Sequence, residues 1–403
     1  MSMRRYYEAA LGLVRGLLLL AALLWSAGSG AEAAPFTPAH DDELLEELPT
    51  ALTAAARELR TLREDLAREP ESVERALALA TRCIELGRAE ADPRFLGWAE
   101  GALTPWLGLA EPPQPVLLLR ATLRQNRHEF AAAQADLAQL LARDPRNAAA
   151  WLTSSAVQLA RGDVAAAERA CLPLLGLADP LVSATCLAGA SGLHGKGERS
   201  LALLERALLR APDAPPGLRL FALTTLAELA AQLGHDERAD SAFADALALG
   251  RRDAYLLAAH ADYLLDRGRA AEVVALLAEE TRADGLLLRL ALAERQLAAD
   301  GLSEHTDALR ARFAAARARG QSLHQGEEAR FALAFEGDAA GALALAQQNF
   351  AVQREPRDAR VLLETALAAG DREAARPALD WIAANGIEHV QLAALAARFE
   401  VAR

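Results

Sequence analysis

Apolar residues recur at three- and four-residue spacing along most of the chain, the pattern of helices that bury one face. The spacing of Leu44, Leu45, Leu48 and Leu52 starts it, and predicts a helix from near Asp42 or Glu43 with a break at Pro49. No stretch alternates polar and apolar residues as a half-buried strand does. Pro70-Glu71-Ser72 and the group Pro112, Pro113, Pro115 are the next breakers. Beyond them the punctuation becomes regular. Gly162-Asp163, Gly195-Lys196, Gly234-His235, Gly268 and Gly370-Asp371 each sit between two apolar segments. Their successive gaps are 33, 39, 34 and 102 residues, the last being three times 34. Five residues after each glycine stands a small or apolar residue: Ala167, Ser200, Ala239, Val273 and Ala375. X-Pro pairs at Asp144-Pro145, Asp179-Pro180, Ala211-Pro212 and Glu355-Pro356 are expected at helix ends. Composition agrees: the chain is 52% hydrophobic, and Ala, Leu and Arg, all strong helix formers, dominate it. The expectation is an all-α protein.

The recurrence of 34 carries a resemblance. The run from Asn147 to Pro180 holds Trp151, Gly162-Asp163, Ala167 and Pro180; the run from Leu181 to Pro212 holds Ala188, Gly195, Leu204 and Ala207. The run from Leu220 holds Leu226, Ala227, Gly234, Ala239, Phe243 and Ala246. A run from Gln114 carries Ala121, Phe130, Ala133 and Pro145, with His128 where glycine is usual. Another from Ala254 carries Ala261 and Gly268, and two C-terminal runs turn at Gly337-Asp338 and Gly370-Asp371. These segments resemble tetratricopeptide repeats, 34-residue helix–turn–helix units that stack because one hairpin cannot bury its own apolar face.

The resemblance implies an α-solenoid with a concave groove lined by the first helix of each repeat. It implies a protein or peptide partner in that groove, touching Gln125, Leu152, Thr185, Phe221, Glu228, Tyr255 and Asp262. The expected organisation is a signal peptide over 1–34, a flexible leader over 35–42 and a loosely matching helical region over 43–111. Regular repeats follow over 112–284, then a divergent unit over 285–322 and C-terminal repeats over 323–403.

Residues 1–34 follow the order of a secretory signal. Arg4, Arg5 and Arg15 precede the apolar run Gly16 to Trp25, and Ala31-Glu32-Ala33 fits a cleavage site. Cleavage after Ala33 or Ala34 would give a periplasmic or secreted protein with no stable membrane insertion. An uncleaved N-terminal helix anchored in the inner membrane is the alternative. No cysteine follows the apolar run, so no lipoprotein route is expected.

Charge narrows the partners. The net charge is −12 and is spread along the chain, without the basic stripe that nucleic-acid binding needs. None of the eight histidines lies in a metal-binding spacing, and no cofactor is expected. His260, beside Asp262 and Tyr263, reads as a packed or surface histidine. Gly189 to Gly197 suggests a phosphate loop but has the wrong spacing, lacks the following Ser or Thr, and is flanked by helix. The basic helix holding Arg310, Arg312, Arg317 and Arg319 is explained by snorkelling stems over a packed face as well as by an anion site. No catalytic motif is present, so no enzyme is expected; a cleft with a strongly perturbed acid–base pair would point the other way. The expected function is an envelope interaction scaffold. Its alternative is an assembly or secretion factor for polysaccharide export or cofactor-protein maturation.

Of the three cysteines, Cys171 lies on the second helix of one repeat and Cys186 on the first helix of the next. They are nearly equidistant from the Asp179-Pro180 turn, so an antiparallel pair of helices sets them at one height. A disulfide is expected there, leaving Cys83 free, with Pro173 as the residue able to end the helix and turn Cys171 aside.

Overall fold

The computed structural model describes His40, residues 53–320 and residues 324–401. The expected signal segment and the helix start near Asp42 lie outside these residues. Residues Ala56–Arg403 form a single unit. Twenty α-helices and no strand are formed among the described residues. Helix α1 spans Ala54–Arg68, followed by nine antiparallel hairpins and a last helix. The hairpins are α2/α3 (Val73–Glu90, Pro93–Leu107), α4/α5 (Gln114–Asn126, Phe130–Arg143) and α6/α7 (Ala148–Ala160, Val164–Cys171). Next come α8/α9 (Pro180–Gly192, Gly197–Arg210), α10/α11 (Pro216–Leu233, Asp236–Ala248) and α12/α13 (Ala254–Asp266, Ala270–Leu277). The last three are α14/α15 (Asp284–Leu297, Leu302–Ala318), α16/α17 (Gln325–Phe331, Ala339–Val352) and α18/α19 (Pro356–Ala369, Arg372–Asn385). Helix α20, Val390–Val401, closes the chain.

The turns show why the sequence folds this way. Gly162, Gly195, Gly234, Gly268, Gly337 and Gly370 all have φ between +63° and +80°, the left-handed conformation that ends a helix at no steric cost for glycine. In the Gly-Asp pairs the aspartate caps the next helix: Asp163, Asp338 and Asp371 accept from the amides of Ala166, Gly341 and Ala374 at 2.8–3.0 Å. One glycine ends the first helix and its neighbour starts the second. The turn expected to lack glycine bends through His128 at φ +59°. Two prolines expected at helix ends instead open helices. Pro180 and Pro356 occupy the first turns of α8 and α18, where a fixed φ suits the helix and the missing N–H would have had no partner.

The unit expected to diverge, over 285–322, contains the hairpin α14/α15 with Ala298 left-handed at φ +51°, where a repeat usually places glycine. Ala91, at φ +50°, does the same between α2 and α3. Helix α16 is short, and a π-helical turn at Ala332–Glu336 follows it before Gly337 reverses the chain.

The core is laid down in patches along the solenoid. Leu201, Leu204, Phe243, Leu256, Leu264 and Leu277 are buried in the largest, which runs from α8 to α16. A second patch belongs to the C-terminal hairpins and includes Leu362, Leu363, Trp381, Leu392 and Phe399. That second patch also takes in Val164 from α7, with Leu193 packed against it. The solenoid therefore coils far enough for its C-terminal end to meet its own earlier hairpins. The backbone amide of Arg354 donates to the Ala160 carbonyl at 2.8 Å, and the Trp381 indole donates to the Gly162 carbonyl at 3.0 Å. A second seam joins α2 to the start of α12, where Arg252 donates to the Ala89 carbonyl at 2.6 Å and pairs with Glu90 at 3.1 Å.

Candidate functional site

First helices of successive hairpins lie side by side and line the inside of the coil. Asp262, on α12, is the hub of their charged lining. Its carboxylate accepts from Arg289 of α14 at 2.5 Å and from Arg330 of α16 at 3.0 Å. Arg289 is itself buried, and its other N–H groups bond the Gly285 and Ala258 carbonyls. Burial pulls the Asp262 carboxyl upward, but Arg289 and Arg330 outweigh it and hold the group well below the usual carboxylate range. One turn further along α12, Asp266 meets Arg360 of α18 at 2.6 Å, and Arg360 also bonds Glu364 at 2.7 Å. An ion pair thus runs from α12 to α18, three hairpins away in sequence.

Toward the other end of the same helices stands a less completely paired group. The Tyr255 hydroxyl, at the start of α12, donates to Glu228 of α10 at 2.8 Å. Desolvation pushes the Glu228 carboxyl up to about 7, against the pull of that hydrogen bond. The Glu228 charge, with burial, raises the Tyr255 hydroxyl in turn. Arg357 of α18 faces Tyr255, Glu327 and Glu355, and donates to Glu355 at 2.8 Å. Burial disfavours the Glu327 charge, yet Arg357, Arg289 and His324 together hold its carboxyl low. His128 faces the same groups from the α4/α5 turn, and burial lowers its imidazole.

Arg357 keeps 51% of its side-chain surface in water and Tyr255 is 44% exposed, while charges on neighbouring first helices act on both. These solvated polar groups, turned toward one another from neighbouring first helices, line the inside of the coil, its lumen. Its walls are α10, α12, α14, α16 and α18.

Of the residues the sequence singled out, the structure brings Glu228, Tyr255 and Asp262 to this lumen. Phe221 is half-buried on α10, and Gln125 is half-buried at the end of α4. Leu152 packs against the cluster around the two cysteines. Thr185 is buried, its hydroxyl donating to the Leu181 carbonyl at 2.7 Å, and offers a ligand no surface. His260 stacks on Phe243 with ring centroids 4.6 Å apart. Gly189 to Gly197 is the end of α8, a turn and the first residue of α9. Cys171 and Cys186 form a disulfide with Cα atoms 5.7 Å apart, and Cys83 is buried and free.

Sequence reasoning did not pick out Arg289, Glu327, Arg330, Arg357 or Arg360. A signal for one of them existed. Phe221 and Glu228 stand one and eight residues after Leu220, and Tyr255 and Asp262 hold the same offsets from Ala254; Pro356 at these offsets gives Arg357 and Glu364.

No family profile matches the chain, and no curated protein does. Among solved structures, the chain is similar to a tetratricopeptide repeat protein from Parabacteroides merdae, at 15% identity and TM-score 0.43, over 59% of this chain and 92% of that one. It is also similar to the Cut9–Hcn1 hetero-tetramer of APC/C, at 16% identity and TM-score 0.43, over 76% of this chain and 59% of that one. A third similar structure is the human IFIT1 dimer with m7Gppp-AAAA, at 12% identity and TM-score 0.43, over 82% and 86% of the two chains. The fold itself, hairpin on hairpin with glycine turns, is a tetratricopeptide-like solenoid.

Proposed function

We propose that this chain is an interaction scaffold of the cell envelope that holds an extended segment of a partner protein in its lumen. The observation that carries the reading is the lining itself: four first helices, α10, α12, α16 and α18, turn Glu228, Tyr255, Asp262, Glu327 and Arg357 toward one another on the inside of the coil. A folding core gains nothing from leaving an arginine and a tyrosine half-solvated inside it, whereas a binding surface needs accessible polar groups held rigidly. Export rests on the order of charges, apolar run and A-x-A site in residues 1–34.

The test is a photo-crosslinking amino acid at Tyr255 in the full chain, expressed in cells, with adducts recovered from the envelope fraction. The same amino acid at Leu175, 65% exposed and far along the chain, is the control. A partner captured from position 255 and not from 175 is expected, on a protein whose first residue follows Ala33 or Ala34. Equal adduct patterns from both positions would overturn the lumen as the binding surface.

The raised Glu228 carboxyl favours a second reading, because such groups act as general acids in clefts. The groups facing it are Tyr255, Arg357, Glu355 and Asp262, which hold charge but supply no activated nucleophile. The scaffold reading accounts for all of them.

A further inference from the structure

The C-terminal helices meet the earlier hairpins in an unusual way. Along most of the solenoid, neighbours join through interdigitated apolar faces, but α18–α20 dock edge-on against the turns of α6/α7, α8/α9 and α10/α11. Four hydrogen bonds make most of that seam. Arg354 N–H and the Trp381 indole take the carbonyls of Ala160 and Gly162, which the end of α6 leaves without intrahelical partners. Glu388 accepts from the Gly197 amide at the start of α9 at 2.7 Å, where a helix N-terminus favours a carboxylate. The Glu388 carbonyl accepts from Gln232 of α10 at 2.8 Å. Apolar contact adds to it: Val164, fully buried, and Leu193 join the C-terminal core that holds Trp381, and Val390 lies beside Gly234.

Glycines make this approach possible. A Cβ on Gly162 would lie 2.7 Å from Arg354 Cβ and 2.8 Å from Trp381 Nε1. A Cβ on Gly197 would lie 2.6 Å from Leu233 and 2.9 Å from Glu388 Oε2. Across the lumen α18 is held by the ion pair of Arg360 with Asp266. Through α16 and α17 the C-terminal end continues the stack, yet its apolar core is a patch distinct from that of α8 to α16. It is thus tethered along one side and latched by polar contacts on the other.

We propose that α18–α20 form a gate, whose docking on the turn edge of α6–α11 closes the lumen from the side and whose release admits a partner segment. Opening at this seam exposes main-chain groups that water can solvate and the few apolar side chains around Val164 and Trp381, a narrower apolar contact than the full helix faces that join stacked hairpins. Arg357, Glu355 and Arg360 ride on the gate, so its position also sets the charge that a segment in the lumen meets.

Tyr255→Cys in the full chain supplies a reporter, because Cys83 is buried and the other two cysteines are paired. Its labelling is followed with a small maleimide and with one carrying a bulky polymer. Trp381→Phe keeps an aromatic ring and loses the N–H donor; Glu388→Gln weakens the contact to Gly197. Each is expected to speed bulky labelling by about tenfold, with little change for the small probe. Gly162→Ala is expected to do the same through its clash. Gly268→Ala, with the same left-handed strain at φ +68° but open space around it, is expected not to. Unchanged bulky labelling in Trp381→Phe and Glu388→Gln would overturn the gate, as would equal acceleration by Gly268→Ala. No partner enters this experiment, so its outcome is independent of whether the lumen binds one.

Discussion

Glu228 shows most directly how a single position feels the whole coil. Its sequence neighbours are Ala and Leu, and nothing in them announces a perturbed acid. The perturbation comes from enclosure, with Tyr255 as hydrogen-bond donor and Arg357, Glu355 and Asp262 in the field. Because the folded group titrates near 7 and an unfolded glutamate near its ordinary 4.5, the folded state binds the proton more tightly between those values. Its contribution is therefore complete below the lower value and is lost as pH rises to the upper one. Glu228→Gln removes the group, so the stability of the parent chain relative to the variant is expected to fall by about 1–2 kcal/mol between pH 5 and 7. Urea unfolding at a series of pH values measures it, and a difference independent of pH would contradict the raised value. His389 enters both proteins equally, so its opposite trend cancels in the difference; burial lowers it to about 4. The same scale explains two weak repeats. Ala91 and Ala298 stand where the turn needs a left-handed residue, so the punctuation was missing from the sequence although the turn was not missing from the fold.

At the scale of elements, helices, turns and hairpin order were legible because each is set by neighbours within about ten residues. Glycine ended first helices, aspartate capped second ones, and the apolar spacing chose the buried faces. The cysteine pair belongs to this scale too. Helix α7 ends at Cys171, and Leu172–Gly176 continues as a 3₁₀ turn through Pro173. Ending there leaves Cys171 facing Cys186 on α8, with the Ser155 hydroxyl 3.2 Å from the Cys171 sulfur. In the protein purified from cells, non-reducing peptide mapping is expected to recover Cys171 and Cys186 as one linked species, with Cys83 alone alkylated after unfolding. Cys171→Ser is expected to cost about 3 kcal/mol, since the bond closes a span of 15 residues. Alkylation of all three without reductant would show that the bond does not form in the cell.

The whole molecule is set by contacts between residues far apart in sequence. Arg360 and Asp266 hold α18 against α12 across the lumen, and Asp266 is raised by burial against the pull of Arg360. Removing the cation alone would strand two carboxylates, Asp266 and Glu364, in a partly dry site. Arg360→Ala is expected to cost about 2 kcal/mol, and adding Asp266→Asn to recover part of it, because an unpaired buried charge is worse than none. Guanidinium unfolding of the single and double variants measures this, and a double variant less stable than the single would contradict it. By itself the sequence determined the all-α repeat and the positions of most turns, because spacing, caps and left-handed glycines are local properties. It did not determine how tightly the solenoid coils. That depends on small angles between successive hairpins, summed over nine of them, and on which distant groups then meet. Only the tertiary structure decided that Gly162 would receive Trp381 and that Gly197 would receive Glu388, because those contacts join residues about two hundred positions apart.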